Sequence, residues 1–98
     1  MPFAYIIYSP TRDRFYIGST STSISERIDK HINGHYPGKH FTSQAKDWSL
    51  FLAINCESLT QAQKIERHLK KMKSRKYLVN LKTFPEMVEK LLSNTQSL

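Results

Sequence analysis

A chain of 98 residues carrying 15 Lys and Arg against 8 Asp and Glu has a formal charge of +7, and its length has room for one small core rather than two domains. Apolar residues at 39% and aromatics at 11% suffice to cover one sheet with two or three helices but do not enclose a large pocket. The charge excess points to a polyanionic partner, nucleic acid before membrane, and no apolar run approaches the roughly 20 residues that span a bilayer.

The opening segment MPFAYIIYSP has neither a basic leader region nor a small-residue cleavage site, so export is not expected. The single cysteine, Cys56, excludes an intramolecular disulfide and suits a reducing cytoplasm. In chain order, FAYIIY at 3–8 and FYI at 15–17 form two apolar and aromatic runs separated by SPTRDR. Pro10 fits the second position of a type I turn and Asp13 its close, so the pair reads as a β-hairpin. After Gly18 comes STSTS, hydroxyl-rich and poorly suited to a strand interior.

A helix follows over about 23–33, with Ser23 and Glu26 in capping-box spacing, Ile24, Ile28 and Ile32 as its apolar stripe, and Gly34 as its stop. Residues 34–47 carry Gly, Pro and polar residues without a period and read as an exposed loop. Trp48 to Cys56 is apolar enough for a central strand buried on both faces. Ser58 with Gln61 makes a second capping box, and Ala62, Ile65, Leu69 and Met72 give a helix over about 59–73. A last helix begins near Thr83, with Pro85 in its first turn and Val88, Leu91 and Leu92 facing inward. The order ββαβαα in a single domain predicts a small α/β sandwich with an antiparallel sheet.

Two groups of residues invite a chemical reading. In the hairpin, Tyr5, Tyr8 and Tyr16 stand beside Ile6, Ile7 and Ile17, with Gly18 next; tyrosines favour any strand, so their company decides. Residues 64–76 then hold Lys64, Arg67, Lys70, Lys71, Lys73, Arg75 and Lys76 against the lone carboxylate Glu66, which is 7 of the 15 basic residues in 13 positions. Such a run is an ordinary solvated face unless something gives it a polyanion to hold.

Two tyrosines on neighbouring strands, a glycine, an arginine on the next helix and one glutamate on a later helix resemble the GIY-YIG endonuclease family. Phe3-Ala4-Tyr5 stands where the family has its first motif, with Phe3 in place of the usual Gly, and Tyr16-Ile17-Gly18 matches the second letter for letter. Glu26-Arg27-Ile28 and His31 look like the family's first helix, and Phe41-Thr42-Ser43 with Trp48 like the central segment of its small single-domain members. Ala62, Glu66, Lys70, Lys71, Lys73, Ser74, Arg75 and Lys76 resemble its second helix and the basic run beyond, and Asn80 is the candidate for a late Asn. The parts come in order over about residues 3–82.

The resemblance implies a GIY-YIG-like α/β fold, a small three-stranded antiparallel sheet flanked by helices. It also implies metal-dependent hydrolysis of DNA, leaving a 5′-phosphate and a 3′-hydroxyl, in repair or recombination. Tyr5 would be the general base and Tyr16 a positioning hydroxyl, with the two able to exchange roles. Arg27 would stabilise transition-state charge, His31 relay a proton or hold a tyrosine hydroxyl, and Glu66 hold one divalent cation, Mg²⁺ or Mn²⁺. Gly18, His40, Lys64, Lys70, Lys71, Lys73, Arg75 and Lys76 would contact the nucleic acid.

Elementary chemistry agrees with that placement. Cutting a phosphodiester needs an activated water, a cation at the phosphate and stabilisation of the leaving oxygen. Glu66 supplies a hard oxygen ligand, and the planar fork of Arg27 suits two phosphate oxygens. A tyrosine, whose ordinary pKa is about 10, serves as a base near neutrality only with cations beside it. His31, His35, His40, His68 and Cys56 lack any CxxC or HExxH frame, so a zinc site is not expected, and Cys56 reads as a small buried residue.

One small domain leaves no room for a second that selects a sequence, so weak sequence preference, structure selectivity or a targeting protein partner is expected. The rival from another class is a non-catalytic nucleic-acid-binding module that retains the fold. A membrane-surface role lacks the bulky apolar face it would need. If the nuclease reading is right, Tyr5, Tyr16, Arg27 and Glu66 converge on one shallow basic cleft.

Overall fold

The computed structural model describes residues 2–21 and 47–95. The expected helix at 23–33, nearly all of the loop at 34–47, and with them Arg27, His31 and His40, lie outside the described residues.

Three strands form one antiparallel sheet: β1 (Phe3–Ser9), β2 (Arg14–Thr20) and β3 (Ser49–Asn55), in the spatial order β2-β1-β3. Its centre is therefore the first aromatic run. Alternation along β1 sends Ala4 and Ile6 to one face and Tyr5 and Ile7 to the other, and all four are buried. Ala4 and Ile6 join Ile54, Ala62, Ile65, Leu69, Leu78, Leu81 and Leu91 in the main core, with Phe15 and Ile17 packed against it. Tyr5 and Ile7 pack with Trp48 and Tyr16 in a second, smaller cluster.

The WSLFLAINC segment is a strand, but an edge strand rather than a central one. Leu50 stays 45% exposed and Ser49, Ala53 and Asn55 are exposed. A β-bulge explains the apolar run: Ile6 faces Leu52 while Ile7 faces Leu50, leaving Phe51 as the extra residue. Phe51 and Leu52 thereby both reach the main core. Phe51 meets Phe15 edge-on at 5.0 Å between ring centroids.

The hairpin turn spans Pro10 to Asp13, with Asp13 N–H donating to the Pro10 carbonyl at 3.3 Å. Pro10 thus holds the first turn position, not the second, and Asp13 closes it in the left-handed region at φ 49°. Asp47 braces the turn, accepting from Ser9 Oγ at 2.5 Å, Thr11 N–H at 2.8 Å and Thr11 Oγ1 at 2.6 Å. Those hydrogen bonds hold its carboxyl down at a pKa of about 2. The β2 strand also runs further than expected, because Ser19 and Thr20 pair with Ala4 and Phe3.

Helix α1 (Leu59–Met72) starts at Ser58, whose Oγ accepts from Gln61 N–H at 3.1 Å. The reciprocal bond goes one residue earlier than a capping box requires, from Glu57 N–H to Gln61 Oε1 at 2.8 Å. Lys73, left-handed at φ 48°, ends α1. A further helix follows that the charge run concealed: α2 (Arg75–Thr83), capped by Ser74 and burying Leu78 and Leu81. Helix α3 (Pro85–Asn94) has Pro85 in its first turn, as expected, with Leu91 buried and Val88 and Leu92 packed on the core. Buried Gln61 ties α1 to the end of α3 through Nε2, donating to the Leu92 carbonyl at 3.0 Å. None of the described helices is long and apolar enough to cross a membrane.

Candidate active site

Tyr5 and Gly18 face each other across the β1–β2 ladder. A Cβ built on Gly18 would stand 2.5 Å from the Tyr5 hydroxyl oxygen and 2.6 Å from its Cζ, so only a glycine lets the ring lie there. The glycine of the second motif is therefore buried under the tyrosine of the first. It serves as a seat for Tyr5 and offers no surface to nucleic acid.

Period-two alternation along β2 turns Tyr16 toward Tyr5 and Ser19 toward the helices. Ser19 Oγ donates to Glu66 Oε1 at 2.5 Å, and Lys70, one turn further along α1, places Nζ 2.6 Å from Oε2. The same ammonium lies 5.9 Å from the Tyr16 ring centroid. Since β2 is an outer strand of the sheet, Lys70 spans its edge and joins the tyrosine side to the carboxylate side. Glu66 lines a shallow polar depression with Ser19, Gln63 and Arg67. Ser19 was not among the expected site residues, and Arg67 was expected only as a member of the basic run. The strand period past Gly18 is the signal for Ser19.

Beside this depression, Arg14, Phe15, Tyr16, Lys70, Lys73 and Arg75 line a groove between β2 and the α1–α2 corner. The basic run does not act as one surface. Lys64, Arg67, Lys70, Lys71, Lys73 and Lys76 are exposed. Arg75 instead holds the hairpin turn, donating to Asp13 Oδ1 at 2.9 Å and to the Asp13 carbonyl at 2.6 Å, with its guanidinium over the Phe15 ring. A hydrogen bond from Tyr8 and then the Arg75 contact hold the Asp13 carboxyl below its ordinary range. Asn80 lies in α2, where its carbonyl accepts from Phe84 N–H at the turn into α3. That puts the Asn80 carbonyl at the helix junction.

Among the described residues no group of three or more His, Cys, Asp or Glu gathers into a metal cage. A single exposed-edge carboxylate nonetheless suits a hard cation that keeps most of its waters and takes further oxygens from a phosphate. The Glu66 side chain, 21% exposed, meets that description. Cys56 is buried and hydrogen-bonds to the Ile54 carbonyl, and burial pushes its thiol pKa up, as befits an inert core residue.

An antiparallel three-stranded sheet with tyrosines on its paired first strands, and a helix carboxylate fastened at the end of the second, defines a small α/β domain. The family model for the GIY-YIG catalytic domain matches residues 1–78. The chain belongs to the GIY-YIG family, a family of nucleases. No curated protein and no solved structure matches the chain significantly.

Proposed function

We propose that this domain is a divalent-metal-dependent endonuclease that hydrolyses DNA phosphodiester bonds, with low sequence specificity or with selectivity for DNA structure. The observation that carries the reading is the meeting of the two motif elements: Glu66 of α1 is held by Ser19, the residue after Tyr16-Ile17-Gly18, and by Lys70 beside Tyr16. A carboxylate fixed that closely to the tyrosine strand is hard to explain as a solvated surface charge.

In this reading Glu66 holds one Mg²⁺ or Mn²⁺, which when bound supplies positive charge for the phosphate and the departing oxygen. Tyr16 is half-buried and has an ammonium near its ring, whereas Tyr5 is 1% exposed with its hydroxyl over Gly18. We therefore assign to Tyr16 the task of taking the proton from the attacking water, and to Tyr5 that of fixing the strand and positioning. This exchanges the roles first expected of them. Arg27 and His31 keep their proposed parts, the first on transition-state charge and the second as proton relay. Lys70, Lys73 and Arg67 hold the strand backbone, and His40, Lys64, Lys71 and Lys76 extend that contact. Asn80 has at most a supporting part. A reducing cytoplasm suits the single buried thiol of Cys56, and a targeting protein chooses the site.

Cleavage of supercoiled, single-stranded and branched DNA in Mg²⁺, Mn²⁺ or EDTA, with wild type beside Glu66→Gln and Tyr16→Phe, tests the proposal. Metal-dependent cutting abolished by Glu66→Gln and cut at least 10²-fold by Tyr16→Phe is the expected result. Salt-sensitive binding with no cutting on any substrate would replace it with the non-catalytic module.

A further inference from the structure

Both oxygens of Glu66 are already engaged in the free domain. Ser19 donates to Oε1, and the Lys70 ammonium sits 2.6 Å from Oε2. The two contacts differ in kind. A hydroxyl rotates and leaves a lone pair open to a neighbouring ion, but an ammonium has no acceptor and repels a second cation arriving on the same carboxylate. Lys70 is also free to leave, since its side chain is 50% exposed and the four-carbon stem is flexible. The fold also offers it a second place: Lys70 lines the groove that holds Arg14, Lys73 and Arg75, a setting in which a phosphate is the natural partner for its charge.

We propose that Lys70 occupies the cation position on Glu66 in the free domain and gives it up when a nucleic-acid phosphate enters the adjoining groove, so that metal and substrate load cooperatively. The proposal rests on the reading of Glu66 as the metal ligand. It adds a reason for Lys70 to stand in that place, beyond general attraction of the backbone. By linkage, a phosphate that removes Lys70 from Glu66 tightens the metal, and the metal in turn tightens the phosphate by the same factor. The domain would then hold no active metal centre while no substrate is bound.

The test is a Mn²⁺ titration followed by paramagnetic broadening of the backbone amide signals of Ser19 and Glu66, on wild type, Lys70→Gln, Glu66→Gln and the double variant. Lys70→Gln lies on an exposed helix face and keeps a polar residue of similar helix propensity, so folding is not at issue. Lys70→Gln is expected to bind Mn²⁺ about 10-fold more tightly than wild type. A phosphorothioate oligodeoxynucleotide is expected to tighten Mn²⁺ in wild type and to do so several-fold less in Lys70→Gln. Equal or weaker Mn²⁺ binding by Lys70→Gln, with binding lost in Glu66→Gln, overturns the role of Lys70 and leaves Glu66 as the ligand. Broadening that survives Glu66→Gln in both backgrounds overturns the metal assignment and this inference with it.

Discussion

Replacing Gly18 by Ala is the sharpest test of how the two motifs are joined. The added methyl would meet the Tyr5 hydroxyl oxygen at 2.5 Å, Cζ at 2.6 Å and Cε1 at 3.0 Å, against an ordinary carbon–carbon contact of about 3.5–4.0 Å. The ring must therefore move by roughly 1 Å. It has little room to do so, being 1% exposed on the central strand and packed with Ile7 and Trp48. Overpacking of this kind costs about 1–3 kcal/mol, and for a domain of this size each kcal/mol lowers Tm by about 4–8 °C. Urea unfolding followed by far-UV circular dichroism gives the loss directly. Tyr5→Phe removes the hydroxyl but leaves the Cζ contact, so Gly18→Ala should cost nearly as much in that background. Tyr5→Leu removes the ring, so there the glycine substitution should cost much less. A Gly18→Ala protein within about 0.5 kcal/mol of wild type, or an equal cost in the Tyr5→Leu background, would refute the seating of Tyr5 on Gly18.

Three further outcomes follow from the same geometry. The Asp47 carboxyl is held down to a pKa of about 2 by Ser9 and Thr11; a lowered folded-state pKa stabilises above the unfolded value near 4 and loses that stabilisation as pH falls toward 2. Wild type and Asp47→Asn should accordingly differ in urea midpoint at pH 6 and converge near pH 2. If about four phosphates are neutralised by the exposed cations of α1 and the α1–α2 corner, affinity for a DNA duplex should fall about 10²-fold between 50 and 200 mM salt, read by fluorescence anisotropy. Finally, Lys73→Ala should weaken DNA binding more than Arg75→Ala, because Arg75 is engaged with Asp13 while Lys73 is exposed.

The hairpin, α1 and α3 were legible because each rests on local signals: aromatic runs, Ser58 at a cap, Pro85 in a first turn. The end of α1 near residue 73 was legible as well, but helix α2 beyond it was not, because its first turn lies inside the basic run. Leu78 and Leu81, three apart after Ser74, are the trace that helix α2 leaves in the sequence. The edge position of β3 is hidden for a related reason. Apolarity alone reads as burial on both faces, while the bulge at Phe51 turns two successive residues to one face. Glu66 and Tyr16 could be picked out by motif, but their connection through Ser19 and Lys70 is a matter of strand alternation and helix phase across 47 residues of separation. Arg75 read as one more charge in a run, because its partner Asp13 is 62 residues away.

The family match stops at residue 78, yet the packing does not. Leu81 and Leu91 fill the same core as Ile65 and Leu69, and Gln61 reaches from the first turn of α1 to the last carbonyls of α3. The helix that carries Glu66 is thus clasped from behind by a segment that the family pattern omits. A chain trimmed to the matched residues would keep both tyrosine motifs and Glu66 and lose the buttress that holds the glutamate helix in register. The physical unit of this nuclease-family domain is longer than its signature.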